Sequence, residues 1–128
     1  MDTNKSPKIL DCTLRDGSYA INFTFSESDT QEISSNIDKL NIPYIEVGHG
    51  VGLGANRLGV NFSSATDIAY MRAAKTSVKQ GKWGMFCIPG IANLDDVKLA
   101  CDHGIQFIRI GSNIDQIEDS KKFIELAR

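Results

Sequence analysis

The sequence predicts an α/β fold in which four β-α units follow one another around a parallel sheet. Short apolar segments alternate along the chain with longer segments whose apolar residues recur every three or four positions. Such alternation is typical of parallel sheets with helical connections. Hydrophobic residues make up 41% of the chain and charged residues 23%, as in globular domains, so we expect a single domain over residues 1–128.

The first β-α unit is expected between residues 8 and 40. The residues from Lys8 to Leu14 have the composition of a short strand. Ser26 and Asp29 have the spacing of a capping box, which predicts that a helix begins at Ser26. The apolar face of that helix would comprise Ile33, Ile37 and Leu40.

The second unit contains the longest loop of the chain. A strand is expected from Tyr44 to His49, and Ser64 is expected to cap the following helix. The loop between them is rich in glycine but lacks the lysine and hydroxyl of a phosphate-binding loop, so we interpret it as a mobile loop that covers a substrate. Its glycines are Gly50, Gly52, Gly54 and Gly59. The inward face of the helix would comprise Ile68, Met71, Ala74 and Val78.

Two further units complete the pattern. A third strand is expected from Gly84 to Ile88, followed by a helix that begins at Asn93 or Leu94 and closes at Gly104. A fourth strand is expected from Phe107 to Gly111, with a last helix from about Asp115. The inward residues of these helices would be Val97, Ala100 and Cys101, then Ile117, Phe123, Ile124 and Ala127.

Composition excludes several classes of partner and compartment. The formal net charge is −2 and the basic residues are scattered, so nucleic acid is not expected as a partner. Nowhere do about 18 apolar residues run together as a membrane span requires, and the N-terminus from Met1 to Pro7 lacks an apolar signal region. Cys12, Cys87 and Cys101 are odd in number and widely spaced, so we expect small core residues in a reducing, cytoplasmic protein.

Parallel strands joined by helices can close into an eight-stranded (β/α) barrel, which typically needs ~250 residues, or form an open doubly wound sheet. The pattern alone permits both architectures. In each, the carboxyl ends of the strands form the working face. Polar residues expected at this face are Arg15, Asp16 and Tyr19 after strand one, Glu46 and His49 on strand two, and Ser112 and Asn113 after strand four.

Arg15 and Asp16 are the strongest candidates at this face. An arginine beside an aspartate is often only a surface ion pair. Here the pair ends an apolar strand and precedes Gly17. A carboxylate at this position can bind a hard divalent cation, and a guanidinium can stabilise charge that develops on an enolate oxygen.

The other candidates have weaker signals. The Tyr19 hydroxyl could donate a proton, although its ring could simply cap the core. His49 lies between two glycines. We expect it to be exposed at the mouth, meaning the open space at the carboxyl ends of the strands, as an acid, a base or a metal ligand. Glu46 alternates with Ile45 and Val47, so it should point inward and need a partner, plausibly Arg15. We assign Glu46 and His49 to substrate binding.

The heptapeptide Asp-Cys-Thr-Leu-Arg-Asp-Gly at positions 11 to 17 resembles the signature of the DRE-TIM metallolyase superfamily. That superfamily includes 3-hydroxy-3-methylglutaryl-CoA lyase, isopropylmalate synthase and 4-hydroxy-2-oxovalerate aldolase. The segments Ile45-Glu46-Val47-Gly48-His49-Gly50 and Ile88-Pro89-Gly90-Ile91 are most similar to the 4-hydroxy-2-oxovalerate aldolases. The resemblance extends from Ile9 to Arg128.

This resemblance implies a TIM barrel that cleaves a 4-hydroxy-2-oxo acid to pyruvate and an aldehyde with a divalent metal, Mn²⁺ or Mg²⁺. Arg15 would stabilise the enolate and Asp16 would bind the metal. Tyr19 stands where the aldolases usually have a histidine base, so the acid/base step would use tyrosine or differ altogether.

The family completes its metal site with a His-x-His pair from the second half of the barrel, and this sequence has no such pair. We therefore expect the N-terminal half of an aldolase-type TIM barrel, four of eight units, without catalysis by the isolated chain. Its exposed edges would be covered by self-association or by a missing C-terminal half-barrel. Two alternatives stay open: a non-catalytic module that binds keto acids or supports assembly, and an acyl-CoA-dependent condensing enzyme of the Claisen type.

Overall fold

The computed structural model describes residues 6–128, and within them four strands alternate with four α-helices. The first five residues of the expected polar N-terminus lie outside this range. The strands are β1 (Leu10–Asp11), β2 (Tyr44–Val47), β3 (Lys82–Cys87) and β4 (Phe107–Ile110). The helices are α1 (Glu27–Lys39), α2 (Asp67–Ser77), α3 (Leu94–Asp102) and α4 (Ser120–Ala127). In the described part of the chain, no helix combines the length and the apolar character needed to cross a membrane.

The sheet is parallel throughout and its strands are ordered β1-β2-β3-β4. A doubly wound sheet would reverse its strand order at a switch point, whereas each strand here pairs with the next one along the chain. The unit therefore resembles half of a TIM barrel, and the predicted α/β architecture is confirmed.

Side-chain caps explain where the helices begin. Ser26 accepts a hydrogen bond from the Asp29 amide, and the Asp29 carboxylate accepts one from the Ser26 amide, so the predicted capping box is confirmed. The predicted cap of α2 was wrong, because Thr66 rather than Ser64 accepts from the Ala69 amide. The amide of Ser64 instead donates to the carbonyl of Phe23, which keeps Ser64 in the loop.

The first strand and the last helix are shorter than predicted. The Asp11 carboxylate accepts hydrogen bonds from both the amide and the hydroxyl of Thr13, which turns the chain away from the sheet. The amides of Asp16 and Gly17 then donate to the carbonyl of Cys12, so this cysteine follows the strand instead of lying within it. At the other end, residues Ile114–Asp119 form a 3₁₀ helix before α4 begins.

The core lies between the sheet and the helices. Strand residues Ile45, Val47 and Met85 are fully buried there against helix residues such as Met71 and Val97. Several residues predicted to face inward are exposed instead. They are Leu40 at the end of α1, Ile68 in the first turn of α2, Cys101 near the end of α3, Ile117 in the 3₁₀ helix before α4, and Ile124 in α4.

The first part of the glycine-rich segment is held in place by hydrogen bonds, so it does not fit the interpretation as a mobile loop that covers a substrate. The Gly52 amide donates to the His49 carbonyl and the Leu53 amide donates to the Phe86 carbonyl, at 2.8 and 2.9 Å. Gly52 has a φ of +108°, and a Cβ atom there would lie 2.6 Å from the Phe86 carbonyl oxygen, so this close approach requires glycine. Leu53 is fully buried. The exposed residues of the loop come later, at positions 57–62, 64 and 66.

Candidate active site

Arg15 is held at the carboxyl end of the sheet by two groups from the second β-α unit. Its Nε donates to Oε1 of Glu46 at 2.7 Å, and its Nη1 donates to the carbonyl of Gly50 at 3.0 Å. The predicted pairing of Glu46 with Arg15 is therefore confirmed. The Arg15 side chain is only 11% exposed, so the surface ion-pair interpretation does not describe it.

A second arginine, Arg109 on β4, binds the same carboxylate. Its Nε donates to Oε2 of Glu46 and its Nη2 donates to Oε1, both at 2.7 Å. The bond to Glu46 raises the pKa of the Arg109 guanidinium, which keeps it charged. Arg109 was not predicted as a site residue, although its position between Ile108 and Ile110 in a predicted strand marks it as facing away from the core.

Glu46 is fully buried, and both of its oxygens are occupied by arginines. In this position it binds the two guanidinium groups instead of presenting a carboxylate to substrate. Arg15, Arg109 and Glu46 together carry a net charge of about +1, and the exposed carboxylate of Asp16 adds one negative charge beside Arg15. The guanidinium groups themselves are suited to an anionic ligand or an anionic intermediate.

The ring of Phe86 on β3 lies close to both guanidinium groups. Its centroid is 4.7 Å from Cζ of Arg15 and 4.9 Å from Cζ of Arg109, within cation–π range of each. This side chain was also missed, because an aromatic residue in an apolar strand gives no sign of facing charge. Phe86 also borders a cavity of about 250 Å³ at the ends of β3 and β4. The other residues that line it are Ile88, Pro89, Gly111, Ser112, Asn113 and Gln116.

Asp16 follows Arg15 and lies at the open side of the site. Its side chain is 65% exposed, and its Oδ1 is 3.4 Å from Nη1 of Arg15. Within residues 6–128, no group of three or more His, Cys, Asp or Glu side chains is arranged to hold a metal ion. Asp16 could therefore supply one ligand, but not a complete coordination sphere.

His49 is buried, so the expectation that it is exposed at the mouth was wrong. Only 1% of the residue is exposed, and its ring stacks on Phe23 with centroids 4.4 Å apart. Nε2 lies 2.6 Å from the carbonyl of Asn61, and Nδ1 accepts from the Val51 amide at 3.0 Å. Because a carbonyl can only accept, Nε2 carries the hydrogen and Nδ1 is the bare nitrogen of a neutral ring. Neither nitrogen is open to a substrate.

Tyr19 is the exposed member of this aromatic group. It is 52% exposed, and its ring meets Phe23 edge-on at 4.9 Å. Its hydroxyl forms no hydrogen bond with any other residue between 6 and 128. The ring thus caps Phe23, and the hydroxyl remains available at the mouth.

Two carboxylates anchor the glycine-rich segment beside the site. Asp67, the first residue of α2, accepts from the Gly54 amide at 2.9 Å, and burial raises the pKa of this carboxyl despite that bond. Oδ1 of Asp96 in α3 accepts a hydrogen bond from Nη1 of Arg57 at 2.8 Å. Burial opposes ionisation of Asp96, but the hydrogen bonds from Arg57 and from the Asn93 amide, together with the charge of Arg57, outweigh it and lower the pKa of Asp96.

Cys87 does not belong to the site. Cys87 is buried in β3, and burial raises the pKa of its thiol to about 12. It is therefore protonated at neutral pH and unsuited to nucleophilic attack.

Comparison with known proteins finds a match to the HMGL-like family over residues 6–124. The chain is 38% identical to an oxaloacetate decarboxylase of Mycobacterium tuberculosis over 126 residues, which cover 98% of the chain and 37% of that protein. It is 34% identical to 4-hydroxy-2-oxovalerate aldolase 2 of Rhodococcus jostii, covering 98% of the chain and 36% of the relative. For a 4-hydroxy-2-oxovalerate aldolase of Pseudoalteromonas translucida the identity is 36%, covering 97% and 36%. The chain thus spans little more than a third of the length of these relatives.

Proposed function

The chain belongs to the HMGL-like family. From that premise we propose that it supplies the arginines of a lyase site, which breaks a carbon–carbon bond in a 2-oxo acid. The favoured reaction is metal-dependent aldol cleavage of a 4-hydroxy-2-oxo acid to pyruvate and an aldehyde. Relatives named as aldolases support the proposal. Together with the oxaloacetate decarboxylase, they are 31–38% identical to the chain.

One observation carries this proposal: Arg15 is fixed at the mouth while part of its guanidinium remains unbonded. Its Nε and Nη1 are bound to Glu46 and Gly50, and no residue between 6 and 128 accepts from Nη2. When the bond between C3 and C4 breaks, its electrons pass to the 2-oxo group and form the pyruvate enolate. A fixed, charged donor beside that oxygen stabilises the developing negative charge without reorganising during the reaction.

Asp16 is the residue that would contribute to a divalent metal site. Its exposed carboxylate next to Arg15 has the hard oxygen donors that Mn²⁺ and Mg²⁺ prefer. When bound, such a cation supplies Lewis-acid polarisation of the 2-oxo acid. The remaining ligands would be substrate oxygens, water or groups outside residues 6–128, because the described residues include no cluster of three or more potential ligands.

Tyr19 favours a second candidate, decarboxylation of a 2-oxo diacid such as oxaloacetate. Aldol cleavage requires a base that removes the proton of the 4-hydroxyl group, and a tyrosine hydroxyl serves more readily as a donor than as an acceptor. Decarboxylation has no such proton to remove. It requires only stabilisation of the same enolate and a proton for its C3 carbon, which the exposed Tyr19 hydroxyl could supply.

An assay of pyruvate formation tests both candidates. The protein would be incubated with Mn²⁺ and either 4-hydroxy-2-oxovalerate or oxaloacetate, with the metal-catalysed background subtracted. We expect Arg15→Ala to lower the enzymatic rate by about 10²- to 10³-fold, the usual loss when a donor to a developing oxyanion is removed. Arg72→Ala is the matched control, because Arg72 forms an exposed ion pair with Glu27 between helices.

The two substrates separate the candidates. Turnover of the hydroxy acid supports the aldolase, and turnover of oxaloacetate alone supports the decarboxylase. Equal rates for Arg15→Ala and Arg72→Ala would contradict both. No turnover of either substrate would agree with the non-catalytic module and equally with the half-barrel without catalysis that the sequence predicts. Turnover only with an added acyl-CoA would favour the condensing enzyme.

A further inference from the structure

The Gly50–Val51 peptide connects the buried histidine to the arginine of the candidate site. Its carbonyl accepts from Nη1 of Arg15, and its N–H donates to Nδ1 of His49, each at 3.0 Å. The two groups belong to one planar unit, so the orientation of the carbonyl is coupled to that of the N–H. We infer that His49 is a positioning residue that holds Arg15 through this peptide.

The ring of His49 is itself fixed from three sides. Nε2 donates to the carbonyl of Asn61, Nδ1 faces the Val51 amide, and Phe23 stacks against the ring face. Turning the ring over would place the Cδ2–H and Cε1–H groups against the Val51 amide and the Asn61 carbonyl. Moving the ring hydrogen from Nε2 to Nδ1 would place an N–H against the amide and a bare nitrogen against the carbonyl. Either change would lose both hydrogen bonds, so the buried ring presents an acceptor to the peptide.

The peptide needs such a support because it follows glycine. Glycine permits rotations of the adjoining peptide that a residue with a Cβ atom would resist. A stiffer residue has no room at position 50, where a Cβ atom would lie 2.7 Å from Phe23 and from Ser18. The orientation of the Gly50 carbonyl therefore depends on the hydrogen bonds of the Gly50–Val51 peptide. The bond from the N–H of this peptide to His49 lies on the side of the peptide away from Arg15.

The consequence for catalysis rests on the proposed function. If the peptide rotated, its N–H would approach the guanidinium in place of the carbonyl, and Arg15 would keep only its bond to Glu46. A small displacement of a group that stabilises a transition state lowers kcat, by up to about 100-fold for 1 Å, and affects substrate affinity less. We expect about a 10-fold or larger loss of kcat for His49→Phe, with KM changed by less than about 3-fold.

The coupling itself can be measured without substrate or metal. His49→Phe keeps the stacked ring and removes both hydrogen bonds, whereas His49→Asn keeps an acceptor for the Val51 amide. Nuclear magnetic resonance of the folded chain would follow the Val51 amide and the Arg15 Nε–H signal. We expect the Arg15 signal to shift and to exchange faster with water in His49→Phe, and to stay near its wild-type value in His49→Asn.

Ser77→Ala is the control for loss of buried packing, because Ser77 hydrogen-bonds to Ser34 between α1 and α2, in a region not involved in the site. It should leave the Arg15 signal unchanged. An Arg15 signal unchanged in His49→Phe would overturn the inference, as would equal shifts in His49→Asn and His49→Phe. Absence of turnover in the wild type, with the shift present, would contradict only the proposed function.

Discussion

Glu46 and Arg109 show how one buried carboxylate can organise a charged site. A buried carboxylate is unfavourable unless its oxygens are bonded, and Glu46 receives three hydrogen bonds from two arginines. Arg109 supplies two of these bonds, and it also restores the positive charge that Glu46 would otherwise cancel. Arg109 is thus as necessary to the charge of the mouth as Arg15 is.

Removing Arg109 should destabilise the fold because Glu46 would keep only one of its three hydrogen bonds. We expect Arg109→Met to lower the free energy of unfolding by about 2–4 kcal/mol, because Arg109 is 45% exposed but the Glu46 charge that it leaves behind is fully buried. Arg72→Met removes a comparable but exposed pair and should lower it by less than about 1 kcal/mol. Urea denaturation would measure both values, and similar midpoints for the two variants would contradict the prediction.

At the residue scale, the sequence predicted the contact that strand geometry dictates and missed contacts that depend on folded loops or on a distant strand. The pairing of Arg15 with Glu46 followed from strand alternation and from the convergence of strand ends. The burial of His49 did not, because it depends on Phe23 and Asn61, which reach it only through the folded loops. Arg109 was overlooked because its partner lies two strands away.

The secondary-structure elements were predicted in their correct order, and the errors lie at their ends. Strand β1 is short because the side chain of Asp11 competes with the ladder for local hydrogen bonds. Helix α2 begins two residues later than expected because the Ser64 amide is bound by Phe23. Periodicity indicates that an element exists, whereas local hydrogen bonds to side chains and loops decide where it stops.

Asp38 near the end of α1 stabilises the turn that leads into β3. Its carboxylate accepts from the amides of Lys79, Gln80 and Gly81. Burial alone would raise its pKa, but these three amides together lower it. A carboxyl whose pKa is lower in the folded state adds stability above its unfolded pKa of about 3.9 and loses that contribution as the pH falls through the folded value.

The replacement Asp38→Asn should therefore destabilise the protein in a pH-dependent manner. We expect a loss of about 2 kcal/mol above pH ~5, because hydrogen bonds to a charged acceptor are weakened, and a smaller difference from wild type below pH ~4. Urea titrations across this range would measure it. Asp102→Asn, at an exposed site at the end of α3, should show little effect at any pH, and a pH-independent loss for Asp38→Asn would rule out this account.

The four-stranded unit presents two open sheet edges and an apolar outer surface. Among residues 6–128, no strand pairs with the outer side of β1 or of β4. Next to β4, Ile114, Ile117 and Ile124 are 85%, 55% and 44% exposed. Open strand edges flanked by apolar side chains are surfaces that proteins normally cover.

We expect the 128-residue chain to cover these surfaces by self-association, with a second copy placed against the β4 and α4 side. Size-exclusion chromatography with light scattering at micromolar concentration should give at least twice the chain mass of 14.0 kDa. Ile124→Glu, which places a charge on this outer surface, should shift the distribution towards monomer. Leu40→Glu is the matched control, because Leu40 is 73% exposed at the end of α1, at the opposite end of the unit from β4 and α4, and should leave the mass unchanged. A wild-type chain that is monomeric and unfolds cooperatively would contradict the expected self-association. An equal decrease in mass for the two variants would show that the contact does not lie on the β4 and α4 side.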